Sequence, residues 1–115
     1  MKIFTTPTHY ILNPDCHIII PEIADFLCVA YKSMPKDKKV AFDLSIVETC
    51  SNKFLMMFKN LYKEREIEII NANQGILVSL YLMKYDRFVK IYSNDLDMFE
   101  SKREIINRRF SLVTV

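Results

Sequence analysis

Residues 40–55 read VAFDLSIVETCSNKFL, and they contain a strand signal followed at once by a helix signal. The first part, Val40–Leu44, is too short and too apolar for anything except a strand buried inside a sheet. From about Cys50 to Arg65 the apolar residues recur at helical spacing, which predicts a helix with one face on that sheet. The apolar face consists of Phe54, Leu55, Phe58, Leu61 and Tyr62. A buried strand that leads into an amphipathic helix is typical of α/β proteins.

The rest of the chain continues this alternation on both sides. The predicted strands are 2–5, 9–12, 40–44, 67–70 and 88–92, and the predicted helices are 21–32, 50–65, 73–83 and 96–107. Residues 16–20 either extend the second strand or form a connecting segment. Because strands alternate with helices, their pairing should be largely parallel with right-handed crossovers. We therefore predict one α/β domain over residues 1–107, with a small mixed sheet and about four helices. Residues 108–115 form a tail of strand-like composition.

The composition indicates a folded, soluble protein. Half of the 115 residues are hydrophobic, 26% are charged, and the chain has one glycine and four prolines, which excludes a disordered or collagen-like chain. The net charge of +2 is too small to imply nucleic acid or anionic lipid as the partner. We find no signal peptide and no apolar run near the ~20 residues of a membrane span. The expected location is the cytoplasm, with no membrane insertion.

The cysteines do not form a recognisable motif. Cys16, Cys28 and Cys50 are odd in number and widely spaced, so neither a disulfide framework nor a zinc site is expected. Cys50 lies at the predicted start of the second helix, where a lowered thiol pKa would favour redox or nucleophilic chemistry. The alternative, which we favour, is a small apolar residue packed against the sheet.

Few residues could carry catalysis. The chain has no phosphate-binding loop, and a single glycine, Gly75, cannot build one. His9 and His17 are the only histidines, and both are predicted to be structural or exposed. Three glutamates near the end of the second helix are predicted to form a solvated rim: Glu64, Glu66 and Glu68. We therefore expect no enzyme activity, no cofactor and no metal.

The stretch from Asp43 to Leu55 resembles the STAS domain, the fold of bacterial anti-sigma-factor antagonists. Family members commonly read D-L-S-G-V-x-x-x-D-S-S-G-L here. The matching positions are Asp43, Leu44, Ser45, Val47 and Leu55. Ile69–Asn73 also resembles the family strand and turn after the second helix, and Leu82–Asp86 resembles its L-x-G-L-D. In the order of its elements the resemblance covers about residues 2–106.

The departures from the family pattern concern its phosphorylation site. The family's partner kinase phosphorylates the second serine of D-S-S-G, and Lys53 occupies that position here. Ser51 aligns with the aspartate, Asn52 with the first serine and Phe54 with the glycine. Lysine cannot accept a phosphate, so the usual switch is not expected unless the alignment slips by two residues and Ser51 becomes the phosphorylated residue. Lys53 would also oppose the helix dipole.

The resemblance implies a non-enzymatic interaction module of a bacterial partner-switching system, with an anti-sigma factor or a GHKL-type ATP-binding kinase as partner. Two alternatives remain: a small STAS subunit of an ABC-type lipid transporter, bound to its ATPase, and a ligand- or redox-sensing domain that uses Cys50. Met56 and Met57 are adjacent on the second helix, so they cannot both face the sheet. The predicted partner-binding residues are Ser45, Thr49, Ser51, Asn52, Lys53, Met56 and Met57. The oligomeric state stays open.

Overall fold

The computed structural model describes residues 1–100, and within them three strands come before the first helix and each later helix follows one or two strands. The strands are β1 (Lys2–Thr5), β2 (His9–Asn13), β3 (Ile18–Ile19), β4 (Lys39–Asp43), β5 (Thr49–Cys50), β6 (Ile67–Ile70) and β7 (Lys90–Tyr92). The helices are α1 (Pro21–Ser33), α2 (Asn52–Leu61), α3 (Gln74–Leu82) and α4 (Asp95–Phe99), with a short 3-10 turn at Tyr85–Arg87. Within residues 1–100, no helix has both the length and the apolar character to cross a membrane.

The main sheet has five strands in the order β1-β2-β4-β6-β7. β1 runs antiparallel to β2, whereas β2, β4, β6 and β7 run parallel to one another. The prediction of a small, mixed and largely parallel sheet with about four helices is confirmed. The strands β3 and β5 form a separate two-stranded parallel sheet, which the sequence did not predict.

The core lies between the main sheet and the helices. Side chains alternate along each central strand, so every second residue points toward the helices. Phe42 of β4 lies at the centre of this core, and its ring contacts Phe54 and Phe58 of α2 at centroid distances of 6.1 and 5.3 Å. Tyr31 of α1 stacks on the same ring at 6.1 Å. These contacts attach α1 and α2 to the middle of the sheet.

The opposite face of the sheet packs under α4. A second buried cluster there consists of Ile11, Ala41, Ile70, Tyr92 and Met98. The described helix ends at Phe99, whose ring makes an edge contact with His9 at 5.3 Å. The predicted helix of residues 96–107 is thus described only in its first part. Its remainder, the predicted domain boundary at residue 107 and the tail at 108–115 lie outside the described residues.

The second helix is shorter than predicted at both ends. It begins at Asn52 because Thr49 and Cys50 pair with β3, and the Ser51 side chain then accepts a hydrogen bond from the Phe54 N–H. It ends at Leu61, with Tyr62 as its C-cap. The predicted extension to Arg65 is wrong: residues 62–65 form a turn, and the Arg65 guanidinium binds the backbone carbonyls of Met34 and Pro35, just after α1. Position 50 is therefore a strand residue.

Candidate functional site

The loop between β4 and α2, residues 44–51, is attached to the start of α3 by one side chain. The Asn73 amide nitrogen donates to the carbonyls of Val47 at 3.1 Å and Glu48 at 2.8 Å. The oxygen of the same amide accepts from the Ile76 N–H at 2.9 Å and so caps α3. The Asn73 side chain therefore both holds the loop in place and caps the N-terminus of α3.

The other side of the loop is attached to the segment around β3. The carbonyl of His17 accepts from the N–H groups of Glu48 at 2.7 Å and Thr49 at 3.2 Å. The Ser51 N–H donates to the Ile19 carbonyl at 2.9 Å. Because backbone bonds hold it on one side and Asn73 holds it on the other, the loop has a defined shape.

The start of α2 carries a cation that is paired with α1. The Lys53 ammonium lies 2.9 Å from both carboxylate oxygens of Asp25. Lysine in a first helical turn opposes the helix dipole, and the nearby carboxylate offsets that repulsion. Both side chains are largely exposed, so the pair contributes little to stability. Lys53 can therefore be substituted without threatening the fold.

The predicted partner-binding residues divide into three groups by exposure. The exposed group is Ser45, Thr49, Asn52, Lys53 and Met56. Ser51 is half-buried, and its hydroxyl serves as the N-cap of α2. The prediction that Met57 lies on the partner-binding surface is corrected, because only 8% of Met57 is exposed and it belongs to the core. Met56, in contrast, is 55% exposed. The adjacent methionines thus point in different directions, because successive residues of a helix project about 100° apart.

The sequence analysis did not predict three exposed isoleucines in and beside this loop. Ile18 and Ile20 flank buried Ile19, because the chain is extended there and side chains alternate. Ile46 is exposed within the loop, and its carbonyl lies 3.0 Å from Nδ1 of His17. The run of three isoleucines does not reveal which one is buried; only the pairing of Ile19 with Cys50 decides it.

Cys50 lies in an environment opposite to the one that the sequence suggested. It is a residue of β5, and Ser51 takes the helix-cap position that would have lowered a thiol pKa. Burial instead raises the pKa of the Cys50 thiol to about 11. The alternative reading, a small residue packed against the core, agrees with its contacts.

Glu68 is buried, so the prediction that it forms part of a solvated rim is wrong. It is 1% exposed, because alternation along β6 turns it toward the face that α4 covers. Nε2 of His9 lies 2.5 Å from one of its carboxylate oxygens, and the Tyr92 hydroxyl donates to the other at 3.5 Å. Burial raises the pKa of Glu68 even though His9 opposes that shift. His9 is thus structural, as predicted, and His17 is exposed.

The pairing register separates this buried pair from the loop. His9 pairs with Lys39 at the start of β4, whereas the loop follows Asp43 at the end of that strand. The two features therefore lie at opposite ends of the sheet. Within residues 1–100, no three His, Cys, Asp or Glu side chains are grouped closely enough to hold a metal ion.

Comparison with known proteins identifies the fold. No family model matches the chain, and no curated protein matches it. A crystal structure from Thermotoga maritima, described as a "putative anti-sigma factor antagonist", superposes with a TM-score of 0.73 at 20% sequence identity. The match covers 90% of this chain and 94% of that chain. The STAS-like fold that the sequence resemblance implied is therefore confirmed.

Proposed function

We propose that this protein is a non-enzymatic module that binds another protein through the tip of α2 and the strands beside it. We call this region the tip surface. It consists of Ile18, Ile20, Ser45, Ile46, Thr49, Ser51, Asn52, Lys53 and Met56. The observation that carries the proposal is the exposure of Ile18, Ile46 and Met56 around a loop with a defined shape.

Exposed apolar side chains beside polar ones are typical of protein-binding surfaces. Ile18 lies on β3, which pairs with β5 directly before the start of α2, so it is close to Thr49 in space. The backbone bonds to His17 and Ile19 and the Asn73 side chain restrict the movement of this region. A partner would therefore bind a preformed surface at a small cost in ordering.

The proposed regulation differs from that of the family at one residue. Lys53 aligns with the family's phosphoacceptor serine and is paired with Asp25, so we propose partner switching without a phosphate there. Ser51 is the remaining candidate for phosphorylation. A phosphate on its hydroxyl would add negative charge at the N-terminus of α2 and beside Lys53, where such a charge is favourable.

The proposed partner is an anti-sigma factor or a GHKL-type kinase in a bacterial cytoplasm. This choice rests on the resemblance of the sequence and on the fold shared with the Thermotoga protein. A transporter ATPase would be the partner if the protein were a transport subunit instead. The redox version of the sensor alternative loses support, because burial raises the pKa of Cys50 to about 11.

Site-specific photo-crosslinking tests this proposal. A photoreactive phenylalanine analogue replaces Met56 in one variant and Phe4, an exposed residue on β1, in the control variant. After irradiation of host cells, the Met56 variant should yield a discrete crosslinked protein that mass spectrometry identifies as a regulator or a kinase. Phosphosite mapping of the same samples tests Ser51. Identical crosslinks from both positions, or none from Met56, would refute the proposed surface.

A further inference from the structure

The Lys and Arg side chains are concentrated at one end of the sheet. Apart from Lys2 and Lys53, every Lys and Arg of residues 1–100 lies between the last turn of α1, α2 or α3 and the first residue of the parallel strand that follows that helix. These segments lie where the parallel strands begin, whereas the loop of residues 44–51 follows the end of β4. The carboxylates of the same segments are fewer: Asp37, Glu64, Glu66 and Asp86. This end of the molecule is therefore basic, which the net charge of +2 does not reveal.

A cleft lies between two of these segments. It is lined by residues 62–66, which follow α2, and by residues 86–90, which lead into β7. Its volume is about 480 Å³, which lies in the range of small-molecule sites. The half-buried rings of Tyr62 and Phe88 line the cleft and pack against each other at a centroid distance of 4.7 Å. The cleft thus offers an aromatic wall to a flat ring.

The Glu66 carboxylate lines the cleft and is already paired with cations. It lies 3.0 Å from the Lys90 ammonium and 3.4 Å from the Lys39 ammonium. Arg65, which also lines the cleft, adds a positive charge that is fixed in place, because its guanidinium donates to backbone carbonyls after α1. Glu66 is therefore not free to neutralise the other cations of the cleft.

Two further cations face each other across the cleft without a carboxylate partner. Lys63 belongs to one lining segment and Arg87 to the other, and neither forms an ion pair within residues 1–100. Besides Glu66, the carboxylate that lines the cleft within residues 1–100 is Asp86. Four cations and two carboxylates thus line it, which leaves an excess of about two positive charges. A concave site with excess charge attracts ligands of the opposite sign.

We propose that this cleft binds a small organic phosphate, a molecule in which a phosphate group is attached to a flat ring. A phosphate monoester carries close to two negative charges near neutral pH, which matches the excess charge of the cleft. Lys63 and Arg87 bind the phosphate oxygens, and the aromatic wall contacts the ring. The limited volume of the cleft favours a small molecule over a membrane surface or a nucleic acid. Because the cleft and the tip surface lie at opposite ends of the sheet, this site is separate from the proposed docking surface.

NMR titration of the ¹⁵N-labelled full chain with phenyl phosphate at about pH 7.5 tests the proposal. Phenyl phosphate should cause saturable chemical-shift changes at residues 62–66 and 86–90. Its dissociation constant should be millimolar, because so small a molecule makes few contacts. Inorganic phosphate, which lacks the ring, should bind at least about threefold more weakly. Shifts that do not saturate, or that are confined to the tip surface, would overturn the proposal.

Charge-removing variants test whether the cleft itself binds the phosphate. Lys63→Gln and Arg87→Gln should each weaken the binding of phenyl phosphate at least about threefold, because each removes a charged donor. Lys36→Gln is the matched control, since it removes the same charge from an exposed residue of the basic end that does not line the cleft. It should bind like wild type. An equal loss in Lys36→Gln and Arg87→Gln would overturn the proposal, because it indicates general attraction to a basic surface.

Vesicle sedimentation distinguishes a free organic phosphate from a phospholipid headgroup. Vesicles of phosphatidylglycerol and phosphatidylcholine should leave the wild-type chain in the supernatant at about 0.15 M salt, because a lipid surface cannot enter the cleft. Co-sedimentation that Arg87→Gln abolishes would assign the cleft to the membrane and overturn the proposal.

Discussion

The Arg65 side chain forms hydrogen bonds with the backbone at and just after the end of α1. Its guanidinium donates to four backbone carbonyls, those of Tyr31, Met34, Pro35 and Lys38, at 3.4, 2.7, 2.7 and 3.4 Å. Tyr31 lies in the last turn of α1, Met34 is its C-cap, and Pro35 and Lys38 lie in the segment that follows, so Arg65 connects the end of the helix to that segment. Its planar fork can serve several acceptors at once, whereas the ammonium of lysine is a point donor.

We predict that Arg65→Lys lowers the free energy of unfolding by about 2 kcal/mol, because at least one charged hydrogen bond is lost. Urea unfolding followed by circular dichroism measures the change. Lys63→Arg, at an exposed neighbouring position, is the matched control and should change stability by less than about 0.5 kcal/mol. Equal stability of Arg65→Lys and wild type would show that the carbonyl contacts contribute nothing.

The Cys50 thiol is expected to react slowly in the folded protein. Burial raises its pKa to about 11, and the thiolate is the reactive form. In a variant with Cys16→Ser and Cys28→Ser, alkylation by iodoacetamide at pH 8 should be at least about tenfold slower than in the same variant unfolded in urea. Equal alkylation rates in the folded and the unfolded variant would contradict this expectation and support the redox-sensing alternative.

Glu68 predicts a specific dependence of stability on pH. A carboxyl whose pKa is raised by folding holds its proton more tightly in the folded state than in the unfolded state. Its contribution to stability is therefore complete below the ordinary pKa of 4.5 and is lost as the pH rises through the higher folded value. The groups that face it are His9, Tyr92, Lys39 and Glu66.

Glu68→Gln removes this titration and keeps a side chain that can still bond to His9. The stability of Glu68→Gln relative to wild type should therefore increase as the pH rises above 4.5. Urea unfolding of both proteins between about pH 4 and pH 8 measures the difference. Glu64→Gln, at an exposed position, is the control. A difference that stays constant or falls with increasing pH would show that burial does not raise this pKa.

At the scale of elements, Asn73 joins the loop of residues 44–51 to α3. Its oxygen caps the helix, and its nitrogen donates to the carbonyls of Val47 and Glu48. Asn73→Asp keeps the capping oxygen and loses both donors, whereas Asn73→Ala loses every one of these bonds. The two variants therefore separate the loop contact from the helix cap.

We predict that Asn73→Asp preserves α3 but loosens the loop, because a carboxylate oxygen then faces two carbonyl oxygens. Amide hydrogen exchange should become faster at residues 44–51 and stay unchanged within α3. Asn73→Ala should in addition lower the free energy of unfolding by about 1 kcal/mol, the usual cost of losing a cap. Unchanged exchange of the loop in Asn73→Asp would show that the loop does not depend on this side chain.

The order and type of the elements were largely predictable, whereas the pairing of the two short strands β3 and β5 was not. Sequence patterns located the five strands of the main sheet and the four helices, because a buried strand and a one-sided helix each leave a pattern in the sequence. The pairing of Ile18 and Ile19 with Thr49 and Cys50 joins residues 31 positions apart, and no local pattern encodes it. The error at Cys50 follows directly from this missed pairing.

The position of the candidate site comes from the family resemblance, and the structure shows which of its residues are exposed and which are buried. The family resemblance indicated residues 45–58, and half of these residues are exposed. Met57 was misplaced because helical spacing alone shows that two adjacent methionines diverge without showing which one is buried. The exposed isoleucines and the burial of Glu68 both depend on which face of a strand meets the core. That choice is made by the tertiary structure.

At the scale of the whole molecule, the core and the surface have separate roles. Large apolar side chains from α1, α2 and β4 fill the space above the sheet, whereas most side chains of the tip surface are exposed and lie outside this core. Ser51 caps α2, and Lys53 forms an exposed ion pair with Asp25. Exposed residues there can consequently be changed without unfolding the protein. This separation makes the proposed docking function directly testable.

The most direct test is the affinity of the purified chain for the partner that crosslinks at Met56, measured by isothermal titration calorimetry. The double variant Ile18→Asp/Ile46→Asp should bind at least about tenfold more weakly, a loss of about 1.4 kcal/mol. The control Phe4→Asp should bind like wild type, and all three proteins should unfold at similar urea concentrations. Equal affinities for the double variant and wild type would contradict a docking function of the tip surface.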